Sequence, residues 1–556
     1  MADSRAAEIL SEHARMVSQR STFEDQWAEV AERVIPRKNF FRGKQGPNQE
    51  KGQRKTEKIF DSTPALALDR YAAAVQSLST PGGQTWHKLQ AVDEELRDDA
   101  EVQRYLDEVT RRLFAARYAA NFSTQSTECY YDHGWAGTMA MFIGDRLGHG
   151  LYYDSIGIEQ LYMAENQFGI VDKVHRQHNM TARQAAKEFG LEKLPAPIRH
   201  AAETNPEQEF VFIRCYKPND DMKPGRKDYR GMRFASYVIA RDFSQIVSEG
   251  GYRTFPVVVS RASVASNEIY GRSACMTVLP DIKMLNEMER TTIQAAQLAT
   301  LPPLLAHKDG ILDAIRLTPA AINYGGVDDN GRQLIQPMQF GQHVEIGIEM
   351  REQKRMIVKD ALWNTLFQIL VDTPTMTATE AMIRAQEKGA LLAPAAARIE
   401  DEFLKPMIER EIDILAAAGA LPPMPQALLD RGGVYAIQFE NPLALSRRSG
   451  EGVAILRSFE QLTPLAQVVG PQEAFKRINM DAATKILLEV NGFPSKAIYS
   501  DDELANINEE QAAQAQAQQV LQAAPVAASA AKDLASAGAI AATAEGSAAP
   551  PVIPAG

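Results

Sequence analysis

Apolar positions along the first third of the chain recur with a helical rhythm. Ile9, Leu10, Met16, Val17, Phe23, Trp27 and Val30 mark one amphipathic helix over residues 1 to about 36, closed by Pro36. A loop rich in Gly, Lys, Arg and Gln runs from Arg37 to Lys58, and its basic character fits either a solvated excursion or a nucleic-acid contact. A helix from Thr63 to Leu78 leads into a turn from Ser79 to Leu89 that delivers Trp86 to an apolar site, and a second helix runs from Glu94 to Ala120. From about Phe142 to Ser266 the rhythm shortens to alternating runs at 157–163, 170–175, 210–216, 232–239 and 256–259, the pattern of a sheet. Strands so close in sequence pair mostly antiparallel. One helix interrupts them at residues 181–189, where Thr181 and Gln184 form a capping box and Gly190 offers a left-handed stop.

The middle of the chain reads as a stalk with a tip. Two helix-grade segments, Leu279 to Leu301 and Val344 to Leu370, bracket a short β insert. The first stops at Pro302 and Pro303, because proline lacks the amide donor and clashes with the preceding turn. Asn330 and Gly331, after Asp328 and Asp329, supply the positive φ angles of a tight hairpin turn, and a strand from Gln333 to Phe340 follows. At about 1.5 Å per residue the first stalk helix spans roughly 33 Å. Polar residues recur on nearly every turn of it, so it is expected to pack beside copies of itself.

Beyond the stalk, residues 371–376 form a polar loop, and Thr377 with Glu380 starts a long helix whose Gly389 and Pro394 predict a kink near Leu392. Residues 432–440 read as a lone strand paired with the earlier sheet, and 452–491 as helical again. After Glu510 the chain turns Ala- and Gln-rich, then Ala- and Pro-rich. Its large apolar side chains are too few to offset the ordering entropy, and disorder is expected from about residue 525. The fold class is thus mainly α with an antiparallel β domain (α+β).

Length and composition allow several domains: 556 residues, 45% hydrophobic, 24% charged. No run of about 18 apolar residues exists to span a bilayer, and the first turns carry Asp3, Arg5, Glu8 and Glu12 rather than the apolar stretch of a secretory signal. The expectation is a cytosolic product with no membrane partner. Cys129, Cys215 and Cys275 are too few and too scattered for a disulfide framework or a four-ligand zinc site. A formal charge of −11 argues against a static grip on nucleic acid, which draws most of its affinity from Lys and Arg neutralising phosphates. Any contact with DNA would be loose, non-specific and local.

Catalytic constellations are missing from the pattern, so no enzyme, no metal and no cofactor is expected. A phosphate-cradling loop needs Gly, four residues, then Gly-Lys-Ser/Thr, whereas Gly46 and Gly52 are one residue too far apart and precede Gln53 and Arg54. Gly271-Arg272-Ser273-Ala274-Cys275 lacks the second glycine of a nucleophile elbow and reads as a helix-leading turn. His175 and His178, three apart on a strand-to-loop segment, do not aim at one metal. The acidic groups Asp93, Glu94, Glu95 and Asp98, Asp99 could hold magnesium in a nuclease, yet they fall at a helix N-terminus, where the macrodipole favours negative charge.

Arg351, Arg355 and Lys359 recur at four-residue spacing on the second stalk helix, with Lys354 alongside and Glu345, Glu349 and Glu352 nearer its start. Two readings stay open: a face engaged in solvent or in salt bridges to a neighbouring helix, or a stripe facing duplex DNA. Duplex DNA carries one charge per about 1.7 Å, so a stalk of roughly 33 Å would lie beside about 20 phosphates. A few cations per chain, repeated round a ring, would be adequate.

With these residues in view, the chain over about 1 to 500 resembles the head-to-tail connector, or portal, proteins of short-tailed bacteriophages. The resemblance is carried by the Ser79 to Leu89 turn with Trp86, by Ile269-Tyr270-Gly271-Arg272-Ser273 leading into Leu279 to Asn286, and by the Ala295 to Leu305 exit with its paired prolines. It implies a wing (1–275), first stem helix (276–301), clip (302–343), second stem helix (344–370), tunnel loop (371–378), kinked helix and strand returning to the wing (379–440) and helical crown (441–510). Residues 511–556 form a tail with no family role. Gly82 and Gly83 stand where proline would be expected nearby.

The resemblance further implies a homo-oligomeric ring, a dodecamer, assembled in the host cytoplasm and built into the virion at one capsid vertex. Its partners would be capsid and scaffolding proteins, the terminase large subunit, a tail adaptor protein and double-stranded DNA. Arg351, Lys354, Arg355 and Lys359 would then face the DNA channel, with Asp372, Thr373, Thr375 and Met376 at its narrowest point. His307, Lys308, Arg316 and Arg332 would present the clip to adaptor and terminase. The alternative is a non-ring scaffold or tail adaptor whose stalk packs internally.

Overall fold

A computed structural model describes residues 2–38, 56–97, 99–146, 150–226, 228–306, 322, 327, 330–337, 344–368, 391–470 and 475–490. The chain divides into two compact units, 1–450 and 451–556. The larger opens with α1 (Ala2–Val34), whose Ile9, Met16, Phe23, Trp27, Val30 and Val34 are buried in the helical rhythm that the sequence carries. Then come α2 (Thr63–Ser79), β1 (His87–Ala91), α3 (Glu94–Arg97), α4 (Ala100–Ala119) and α5 (Phe122–Ala136). The helix expected over 94–120 is therefore two: Asp99 caps α4, its carboxylate accepting from the amides of Glu101 (2.8 Å) and Val102 (3.1 Å). That cap gives part of the acidic cluster a structural task.

Two antiparallel sheets follow. β2 (Thr138–Arg146), β3 (Gly150–Ile156) and β9 (Val257–Arg261) form one, in the order β3-β2-β9. The other runs β4-β5-β6-β7-β8, from β4 (Leu161–Glu165) through β5 (Val171–Thr181), β6 (Glu209–Pro218) and β7 (Phe234–Ala240) to β8 (Gln245–Tyr252). Antiparallel pairing agrees with expectation. The sheet region begins four residues earlier than its alternation indicated, because β2 is buried on both faces and has no polar beat.

On β7 the two faces separate cleanly. Ala235, Tyr237 and Ile239 meet Ile9 of α1, whereas Val238 and Ala240 meet α6 (Ala182–Phe189) and α7 (Ala196–Thr204). The capping box forms as read, with Gln184 N on Thr181 Oγ1 (3.2 Å) and Thr181 N on Gln184 Oε1 (3.0 Å), and Gly190 ends α6 at φ +83°.

The largest core gathers Trp27, Tyr71, Tyr130, Trp135, Met139 and Phe403. At its edge Gly137 ends α5 at φ +77°, and a Cβ on Gly271 would lie 2.2 Å from the Gly137 carbonyl. Only glycine lets these two backbones cross there. Next to it, Ser273 caps the short α8 (Ala274–Thr277): its hydroxyl accepts from Met276 N (3.0 Å) and donates to Trp135 O (2.8 Å). The elbow-like motif is thus a helix-leading turn.

The rest of this unit comprises α9 (Leu279–Thr300), β10 (Leu304–Ala306), β11 (Ile335–Pro337), α10 (Val344–Ala361), α11 (Asn364–Gln368), α12 (391–399), a π-helical turn at Glu400–Leu404, α13 (Lys405–Ala417), α14 (Gln426–Asp430) and β12 (Tyr435–Phe439). The strand expected to join the earlier sheet instead pairs β12 with β1, Leu89 opposite Ile437, in a sheet of its own. Its partner lay inside the segment read as a turn, where Leu89 is the sole strongly apolar residue of His87–Ala91. The backbone irregularity in the described part of the long helix is the π turn at 400–404; Gly389 lies outside the described residues. Helices α15 (Pro442–Val469) and α16 (Met480–Val490) account for most of the described C-terminal region, and among the described residues the helical expectation over 452–491 holds except at 470 and 475–479, which are not helical. The tail after 490 lies outside the described residues.

Candidate functional site

The stalk is rooted at one end only. Pro280 sits in the first turn of α9, where its missing amide has no partner to lose, and Leu279, Ile282 and Leu285 are buried in the core. Beyond Leu285 no side chain of α9 is buried. Met284, Ile293, Leu298 and Leu301 on this segment are exposed, as are Ile348, Met350, Met356 and Ile357 on α10. Residues 291–300 carry no charge.

Ion pairs clasp the two helices. Arg351 Nη1 meets Glu289 Oε2 at 2.7 Å, and Lys354 Nζ meets Asp281 Oδ1 at 2.6 Å. Arg355 reaches Asp61, just before α2, at 2.8 Å, and also Glu352 (2.5 Å) and Glu289 (3.4 Å). Burial pushes the Asp61 carboxyl up, but hydrogen bonds from Thr63 and the Arg355 guanidinium outweigh it and hold the group below the usual carboxylate range. Lys359 is half-buried and makes no ion pair among the described residues. Of the two readings left open for the basic stripe, salt bridging to a neighbouring helix accounts for Arg351 and Lys354, and Arg355 extends it to Asp61.

Asn286, about a third of the way along α9, holds the chain just ahead of α2. Its Oδ1 accepts from Phe60 N (2.8 Å) and its Nδ2 donates to Lys58 O (2.9 Å). Lys283 Nζ reaches Glu29 of α1 at 2.5 Å. Sequence reasoning singled out the cations and missed Asp61, Asp281 and Glu289. The available signal was thin: two of the carboxylates on the first stalk helix, Asp281 and Glu289, eight residues apart.

At the tip, Leu305 of β10 pairs with Gln336 of β11, and a Val327–Gln333 bridge encloses the turn, with Gly331 at φ +77°. Arg332 is exposed on this turn. His307, Lys308 and Arg316 lie outside the described residues, as do Asp372, Thr373, Thr375 and Met376.

The second stalk helix is shorter than the expected 344–370. α10 ends at Ala361, Trp363 adopts φ +58°, and α11 starts anew at Asn364. A left-handed non-glycine residue costs about 1–2 kcal/mol. Packing on α2 offsets it: the Trp363 ring lies 5.3 Å from that of Tyr71, and buried Asn364 donates to Ala67 O (3.2 Å).

Among the described residues, no group of His, Cys, Asp and Glu could hold a metal ion, and no helix is long and apolar enough to cross a membrane. His175 is buried and His178 lines an open cleft on the opposite face of β5. The three cysteines are buried and free.

A family model described as bacteriophage head to tail connecting protein matches residues 6–499. The chain is 26% identical over 549 residues to the portal protein of Salmonella phage epsilon15, covering 96% of each chain. It is 25% identical over 520 residues to the probable portal protein of Bordetella phage BPP-1, covering 92% of each.

Proposed function

Starting from the chain's membership of the bacteriophage head to tail connecting protein family, we propose that copies of it form a closed ring at one capsid vertex, a passive conduit for double-stranded DNA. The exposed stalk carries this reading. Among the described residues, eight large apolar side chains on α9, its exit and α10 are exposed in a single chain, and covering what each still exposes would contribute on the order of 1 kcal/mol. Neighbouring stalks set side by side would cover them.

In the ring, Arg351, Lys354 and Arg355 stay in their ion pairs on the stalk that lines the channel, Lys359 faces the bore, and Asp372, Thr373, Thr375 and Met376 form its narrowest point. Because α10 holds four cations and four carboxylates, and α9 adds three carboxylates and two cations, the wall offers little net charge for phosphates to grip. DNA then passes without being held. His307, Lys308, Arg316 and Arg332 at the tip dock the terminase large subunit and the tail adaptor, and the outer sheets meet capsid and scaffolding proteins. The divisions 1–275, 276–301, 302–343, 344–370, 371–378, 379–440 and 441–510 act as wing, stem, clip, stem, tunnel loop, return and crown.

Native mass measurement together with negative-stain images of the purified protein tests the reading. Rings of a dozen copies with a central hole are expected. A species that stays monomeric across concentration and salt overturns it.

A further inference from the structure

We propose that the β4–β5 turn of one copy seats Phe168 in an apolar cavity on the next copy, fixing neighbours head to tail. The inference rests on the ring reading above and adds the contact that sets its direction. Phe168 is 77% exposed and Ile170 61% exposed, an apolar pair at the tip of a hairpin.

This tip is held rather than loose. Asn166 Oδ1 accepts from Phe168 N (2.9 Å) and Ile170 N (3.1 Å), and Gly169 N donates to Asn166 O (3.1 Å) with Gly169 at φ +74°. From below, Arg261 Nη2 donates to Gly169 O (3.1 Å) and bonds Glu402 Oε1 (3.0 Å), while Arg261 Nη1 pairs with Glu165. A turn braced by its own side chain, a buried arginine and two carboxylates presents Phe168 with its ordering entropy already spent in folding.

The cavity lies elsewhere on the same unit, between α4, β1, β12 and the C-terminal half of α13. Leu89, Leu106, Val109, Ile412, Met424 and Tyr435 line about 260 Å³ of it, open to solvent on one side. An apolar cavity of roughly 150 Å³ is enough for benzene, so the volume of this one admits a phenyl ring. Knob and cavity share no residue. A contact between two different patches is heterologous, and repetition of it generates a ring when the rotation closes.

The test leaves both patches intact and places thiols beside them. In a Gln167→Cys, Pro423→Cys variant of the full chain both new cysteines are exposed, while Cys129, Cys215 and Cys275 are buried with thiols pushed up to about 12 by burial, and stay unreactive. A short bismaleimide should give a ladder of dimers, trimers and higher species, reduced at least tenfold when Phe168→Asp is added. Rings that form by mass but give no ladder overturn the proposal and leave the ring standing. A wild-type chain that forms no ring sinks both. Reaction that stops at the dimer means reciprocal pairing, and a cross-linked monomer means that the chain fills its own cavity; either overturns the head-to-tail seat.

Discussion

Buried in the five-stranded sheet, His175 stacks on His13 of α1 at 5.7 Å, and neither of its ring nitrogens has a hydrogen-bond partner among the described residues. Burial first, then the charges of His13, Lys173 and Lys217, push its pKa down to about 3. His178 is pushed down to about 3, by burial and by Arg214 and Arg176, and His133 to about 4 by burial alone. All three stay neutral when folded, whereas the unfolded chain protonates near pH 6.5. Below that pH the unfolded state binds more protons, so stability is complete above about 6.5 and falls as pH drops toward 4. The slope is about 1.4 kcal/mol per pH unit for each histidine. His175→Leu should leave stability at pH 7 unchanged or higher and flatten the acid slope by one such increment, read from urea unfolding at pH 7, 6 and 5. An unchanged slope would mean that His175 already titrates when folded. Their three-residue spacing on a strand makes opposite faces legible for His175 and His178. The burial of Arg117 is not legible: it bonds Glu411 at 3.1 Å and lies 4.7 Å over Trp86, partners far along the chain that only folding gathers.

Among elements, the stalk hairpin was the most legible. Proline punctuation, the Asn330–Gly331 turn and the helical periods on either side are local signals, and the helices formed within a residue of their expected starts. Its clasp was not, because ion pairing across two helices depends on their relative rotation. Glu289 is shared by Arg351 and Arg355. Glu289→Ala is expected to loosen the distal hairpin by about 1 kcal/mol, the upper end for a partly exposed pair, and to speed amide exchange in α10 several-fold while leaving α2 and α5 unchanged. Equal acceleration in all three would mean that the pairs stabilise the whole core rather than the stalk. The β1–β12 ladder shows the opposite case. β12 alternates on its own through Tyr435, Ile437 and Phe439, whereas β1 carries only Leu89 as a strong apolar residue and is a strand because β12 lies beside it.

For the molecule as a whole, the question is what covers the stalk. Ile293→Asp, on the charge-free segment of α9, should leave circular dichroism and thermal melting of the single chain unchanged while raising the midpoint assembly concentration at least tenfold. Normal assembly of this variant would place the self-association surface elsewhere. By itself the sequence determined the classes of element, the antiparallel habit of the sheets, the stalk and its turn, and the lack of a phosphate-cradling motif, because each of these is written within a few turns of chain. Tertiary structure alone decided that α10 breaks at Trp363, that Arg351, Lys354 and Arg355 of the basic stripe are paired with carboxylates, that β12 joins β1, and that α9 leaves the core after Leu285. Those outcomes turn on which distant surfaces meet, and the free energy of such a meeting belongs to both surfaces together, so neither segment carries it alone.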